Sequence, residues 1–146
     1  MTKTIFFDMD GTIADLYGVE NWLNYLINSD PSPYKNAKPL LNLNSLARIL
    51  NRLQRTGYHI GIISWLSKNS TESYDEAVMQ AKKAWLNKHL ASVRFDEIHI
   101  VSYGTPKENF AHNEQDILFD DEEKNRLNWA GKAYNVESIL EILKGI

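Results

Sequence analysis

Ile5-Phe6-Phe7-Asp8-Met9-Asp10-Gly11-Thr12 is the stretch that decides how this chain folds. An apolar run suited to a fully buried strand (Thr4 to Phe7) ends in two carboxylates one residue apart, followed by Gly-Thr. Side chains alternate along extended backbone, so Asp8 and Asp10 can share one pocket just past the strand end. Gly11 has no Cβ and lets the chain turn sharply there. Carboxylates held this close repel each other unless positive charge compensates. A Mg²⁺ ion fits that need: it is hard, prefers oxygen, and is commonly held by a few carboxylates together with substrate phosphate.

Outward from this strand, the remaining pattern alternates. Helices are predicted over 20–27, 44–55, 73–89, 122–129 and 137–144, and further strands over 59–64, 97–101, 116–120 and 132–134. Trp22, Leu23, Leu26 and Ile27 form the apolar face of the first helix. Leu46, Ile49, Leu50 and Leu53 form that of the second, with Gly57 placed to stop it. Ser73-Tyr74-Asp75-Glu76 matches a capping box at the start of the third. Residues 28–39 carry Pro31, Pro33 and Pro39 and are predicted to be a loop. Trp22, Trp85 and Trp129 sit in helical patterns as core candidates. Strands alternating with helices imply an α/β fold in three layers, a central parallel sheet covered on both faces. Ligands of such sheets bind beyond the carboxyl ends of the strands. Those ends deliver Asp8, then Ser64, then Lys107 in the loop after the third strand, then Asp120-Asp121.

The bulk numbers exclude several classes. The 146 residues suit one domain, 1–146, with one core. A formal charge of −3 advertises no nucleic-acid backbone as partner. The absence of cysteine excludes disulfides and thiolate metal sites and fits a reducing cytoplasm. No apolar run is long enough to span a bilayer, and no secretory signal opens the chain. His59, His89, His99 and His112 show no metal-ligand spacing.

The ordered set Asp-Met-Asp-Gly-Thr, Ser64, Lys107 and Asp120-Asp121 resembles the haloacid dehalogenase superfamily of aspartate-nucleophile phosphohydrolases. Asp8 to Asp15, together with the Asp120-Asp121 ending, looks like its 5′(3′)-deoxyribonucleotidase branch. The resemblance implies a Rossmann-like fold and a Mg²⁺-dependent phosphomonoesterase acting on a small phosphorylated substrate, a nucleotide in that branch. Asp8 would be the nucleophile and Asp10 the general acid and base. Mg²⁺ would be held by Asp8, the backbone carbonyl of Asp10, Asp120 and Asp121. Ser64 would bond a phosphoryl oxygen, and Lys107 would offset negative charge. Gly11 and Thr12 belong to the same substrate-side loop. Asn125, four residues after Asp121, would orient it.

Trp65, next to Ser64, and Tyr103, before Lys107, could stack on a nucleobase or pack at the rim. Lys35 is better read as solvated, Asp15 as structural, and Glu122 and Glu123 as helix-start charges. Superfamily members often carry a cap domain. Here 16–43 leaves room only for a small lid, shorter than the helical cap usual in deoxyribonucleotidases. Competing readings are a catalytically inactive core kept as a binding module, or a receiver-like regulatory domain. Receivers place the acidic pair first and the phospho-accepting Asp on a middle strand, an order this chain lacks.

Overall fold

In the computed structural model, which describes residues 2–146, the chain runs through β1 (Thr4–Phe7), β2 (Ala14–Asp15), α1 (Trp22–Ile27), α2 (Ser32–Asn36) and β3 (Lys38–Pro39). It continues through α3 (Leu43–Arg55), β4 (His59–Trp65), α4 (Glu72–His89) and β5 (Glu97–Val101). The last elements are β6 (Ile117–Phe119), α5 (Glu123–Asn128), β7 (Ala133–Tyr134) and α6 (Ile139–Lys144). Five strands form one parallel sheet in the order β5-β4-β1-β6-β7. β1 is central, with Ile5 opposite Ile60 on one side and Ile117 on the other. A strand flanked on both edges and covered on both faces must be apolar throughout, and all four residues of β1 are buried. Ile5 and Phe7 face the large core formed with α3, α4 and α6. Phe6, Ile63 and Leu118 face the opposite layer under Trp129. Each such side chain contributes about 1.5–3 kcal/mol of transfer free energy when removed from water.

The helix boundaries follow local chemistry. The Asn42 side chain caps α3 by accepting from the Ser45 N–H at 3.0 Å. α4 is capped by Thr71, whose hydroxyl accepts from the Tyr74 N–H, so the helix starts before Ser73 and the predicted capping box does not form. Residues 28–39 are not a loop throughout. Ser32-Pro33 opens α2, a position where proline loses no hydrogen bond, and β3 pairs antiparallel with β2.

β2 and β3 make a short hairpin at the mouth of the sheet, with α1 and α2 as a small lid between them. The Tyr34 hydroxyl pairs with Ser67 Oγ at 2.6 Å, and Tyr74 donates to the Asp30 carbonyl at 3.0 Å, which ties the lid to α4 and to the loop after β4. Leu16, Tyr34, Tyr74, Val78 and Ile100 form a second apolar cluster beneath it. α1 has no buried residue. Its apolar face was expected in the core, but Leu23 is 53% and Ile27 70% exposed. Trp22 is half-buried and edge-on to Tyr17, whereas Trp85 and Trp129 are buried as expected. Among the described residues, no helix is long and apolar enough to cross a membrane.

Candidate active site

The chain leaves β1 through a turn in which the Thr12, Ile13 and Ala14 N–H groups all converge on the Met9 carbonyl. Gly11 sits there at φ +81°, and a Cβ on it would collide with the Asp121 carboxylate. This close approach brings the ends of β1 and β6 together. Asp8, Asp120 and Asp121 each present a carboxylate oxygen, and these oxygens lie within 4.8 Å of one another. Lys107, 2% exposed in a 3₁₀ turn after β5 (Lys107–Phe110), donates to Asp8 Oδ1 at 3.0 Å and to Asp120 Oδ2 at 2.8 Å. Thr12 donates to Asp8 Oδ2 at 3.1 Å and accepts from the Asp121 N–H at 3.3 Å. Asp120 also accepts from Asn125 Nδ2 and the Glu122 N–H.

The electrostatics follow from crowding. Burial, followed by the Asp8 charge, pushes the Asp120 carboxyl up to about 6 and the Asp121 carboxyl up to about 7. Burial would lower the Lys107 ammonium, but Asp8 and Asp120 outweigh it and hold Lys107 above its ordinary value. Burial also raises Asp10, against the pull of the Lys82 ammonium. Of the three clustered carboxylates, Asp8 and Asp120 share the buried Lys107 ammonium, and Asp121 has no such partner among the described residues. The donor set of the three is all oxygen, which suits a hard divalent ion, and the raised values of Asp120 and Asp121 mark the charge that such an ion would neutralise. The residues present therefore fit Mg²⁺.

A cavity of about 550 Å³ opens above this group. Asp8, Asp10, Lys107, Asp120 and Asp121 form its charged floor. Tyr17, Trp22, Tyr34, Trp65 and Tyr103 give it aromatic walls, and α1 supplies an apolar edge. Trp65 donates its indole N–H to the Thr105 carbonyl at 2.8 Å and leans on Tyr103, with ring centroids 5.1 Å apart. This bond fixes the indole beside the site.

Several side chains stand elsewhere than expected. Ser64 is fully buried and does not line the cavity. Its hydroxyl accepts from Lys82 Nζ at 2.7 Å. Gly11 and Thr12 lie beneath the acidic group instead of on the cavity wall. The Asp10 carboxylate turns from the acidic group toward Lys82, 2.9 Å away, so any hold it has on a metal would run through its backbone carbonyl. Asn125 bonds Asp120, not Asp121. Lys35, read as solvated, is exposed and off the cavity wall, and Asp15, read as structural, accepts from the Gly18 N–H in a local turn; neither departs from its reading.

Lys82 is the site residue that sequence reading missed. Its signal was present: Val78, Lys82 and Trp85 fall at i, i+4 and i+7, so a lysine occupies a core-facing position of α4.

The five-stranded parallel sheet and its flanking helices are consistent with the Rossmann-like haloacid dehalogenase fold that the sequence motif implied. Among solved structures, the chain is similar to the crystal structure of D,D-heptose 1,7-bisphosphate phosphatase from Burkholderia thailandensis. The match covers 98% of this chain and 97% of that one at a TM-score of 0.56, with 12% sequence identity, and it carries the fold alone. No protein-family model and no curated protein matches the sequence.

Proposed function

We propose that the protein is a Mg²⁺-dependent phosphomonoesterase working through an aspartyl-phosphate on Asp8, with nucleotides as its substrate class. The observation that carries this reading is the Asp8, Asp120 and Asp121 oxygen cluster, paired with buried Lys107 at the floor of an open cavity. The similar crystal structure supports the phosphatase part of this reading, since that protein is a D,D-heptose 1,7-bisphosphate phosphatase.

An Asp8 carboxylate oxygen attacks phosphorus while the bond to the leaving oxygen breaks and Asp10 gives that oxygen its proton. Water then attacks the phosphorus of the acyl phosphate, and Asp10 takes a proton from it. Orthophosphate leaves, and Asp8 returns to a free carboxylate. Lys107 holds Asp8 in place and offsets charge during both displacements. Held by Asp8, Asp120, Asp121 and the Asp10 carbonyl, Mg²⁺ would neutralise phosphoryl charge and fix its orientation.

The aromatic walls favour a leaving group that carries a planar ring, as a nucleoside does in its base. Together with the absence of cysteine, this fits a cytoplasmic enzyme of small phosphorylated metabolites.

The test is phosphate release from nucleotides, sugar phosphates and an aryl phosphate, with Mg²⁺ and with EDTA, for wild type and Asp8→Asn. Turnover that needs Mg²⁺, is lost in D8N and is fastest on nucleotides is the expected result. Turnover that survives EDTA or D8N would overturn the mechanism, and a preference for sugar phosphates would overturn the substrate class.

A further inference from the structure

Lys82 projects from the middle of α4 and is 1% exposed. Its ammonium donates to Asp10 Oδ2 at 2.9 Å, Ser64 Oγ at 2.7 Å and the Trp65 carbonyl at 2.7 Å. An ammonium has three N–H donors, so all three are used and none is left for a ligand. The Tyr34 ring lies 5.0 Å from Nζ and closes the remaining side under the lid. Two of the three acceptors belong to the end of β4, a rigid central strand, and the third is the carboxylate that faces the cavity.

We propose that Lys82 is a positioning residue. Anchored on Ser64 and the Trp65 carbonyl, it holds Asp10 by Oδ2 and so presents Oδ1 to the leaving-group oxygen. This rests on the phosphomonoesterase reading above. Asp10 Oδ1 carries the proton that passes to the leaving oxygen as its bond to phosphorus breaks. Without Lys82, the carboxyl is free to rotate away from that line. Ser64 then acts as the anchor of Lys82 and not as a phosphoryl contact, which accounts for its complete burial. A group that must be held within a fraction of an ångström needs such a supporting layer.

The test compares kcat/KM, which reports the leaving-group step, on 2,4-dinitrophenyl phosphate and on a simple alkyl phosphate, with Mg²⁺. The dinitrophenolate leaves without a proton, whereas the alkoxide needs one. Lys82→Met is expected to lose about 10²-fold on the alkyl ester and under about threefold on the aryl ester. Ser64→Ala should shift the same ratio in the same direction, and adding it to Lys82→Met should cost nothing further. Equal losses on both esters, or additive losses in the double variant, would overturn the proposal while leaving the phosphomonoesterase reading intact. Failure of the wild type to cleave either ester would overturn both.

Should Lys82→Met fail to fold by circular dichroism, Lys82→Cys supplies the only thiol of the chain. Alkylated with 2-bromoethylamine while unfolded, then refolded, it regains an ammonium at the same reach. The expected result is return of the alkyl-to-aryl ratio to within about threefold of wild type. A refolded ammonium form that leaves the ratio low would overturn the proposal.

Discussion

Asp121 sits where negative charge is most crowded, and its consequence is a stability that depends on pH and metal. A carboxyl raised above its unfolded value binds its proton more tightly in the folded chain. Its contribution to stability is therefore complete below an unfolded value of about 4 and is lost as pH climbs through the folded value. For Asp120 and Asp121 that loss is centred near 6 and 7. In EDTA, these two groups should lower the melting temperature between pH 5 and pH 7.5, and the upward shift on adding Mg²⁺ should be larger at pH 7.5 than at pH 5.5. Asp121→Asn should raise the metal-free melting temperature and remove most of the Mg²⁺ shift. Scanning fluorimetry in both buffers decides it, and a Mg²⁺ shift of full size in D121N would sink the idea. Thr12 makes a second residue-scale case, because its hydroxyl joins Asp8 to Asp121. Thr12→Val keeps the volume and takes the hydroxyl partner from the buried Asp8 Oδ2 acceptor and from the Asp121 N–H donor, a change expected to cost about 1–3 kcal/mol in urea unfolding.

Among the elements, β4 is the one most constrained by its neighbours. Gly61 lies in its middle beside β1, and an added Cβ would stand 2.7 Å from the Phe6 ring. Gly61→Ala should therefore cost about 1–3 kcal/mol through overpacking, read as a lower urea midpoint with an unchanged slope. The centre of the sheet was legible because β1, β4 and β6 each carry a short buried run dominated by apolar residues, whereas the edge strand β5 mixes Glu97 and His99 with its apolar residues. The lid was legible only in length. Pro31 and Pro33 announce a break in structure, yet a proline in a first helical turn looks the same in sequence as one in a loop. The face of α1 read as core because periodicity reports amphipathicity without saying what lies opposite. Here it borders a cavity. The charged groups at the strand ends could be placed from their order, since parallel topology sends every carboxyl end to one edge. What order could not give was pairing: that Asn125 would choose Asp120, and that Lys82 would take the Ser64 hydroxyl, depends on side-chain direction across elements far apart in sequence.

On the scale of the whole molecule, function divides between a rigid floor and a thin roof. The floor is built on the sheet, while the roof is two short helices tied down by Tyr34 and Tyr74. Leu23 and Ile27 contribute little to the core and border the cavity. Replacing both by Ser should leave stability within about 0.5 kcal/mol and raise KM for bulky phosphomonoesters more than for a small aryl phosphate. Steady-state kinetics on one substrate of each size measures the contrast, and an equal change in both would assign these residues no part in selection.

The central place of β1 also governs how the chain is made. β1 is synthesised more than 100 residues before its partner β6, so one of its edges is completed only by Ile117–Phe119. Until that late segment is synthesised, the buried strand β1 shows an open flank, and two of the three clustered carboxylates do not yet exist. A nascent or prematurely terminated product ending near residue 112 would combine a sticky edge with no metal-binding set. Such a product is exposed to chaperones and proteases until the later segment closes the sheet.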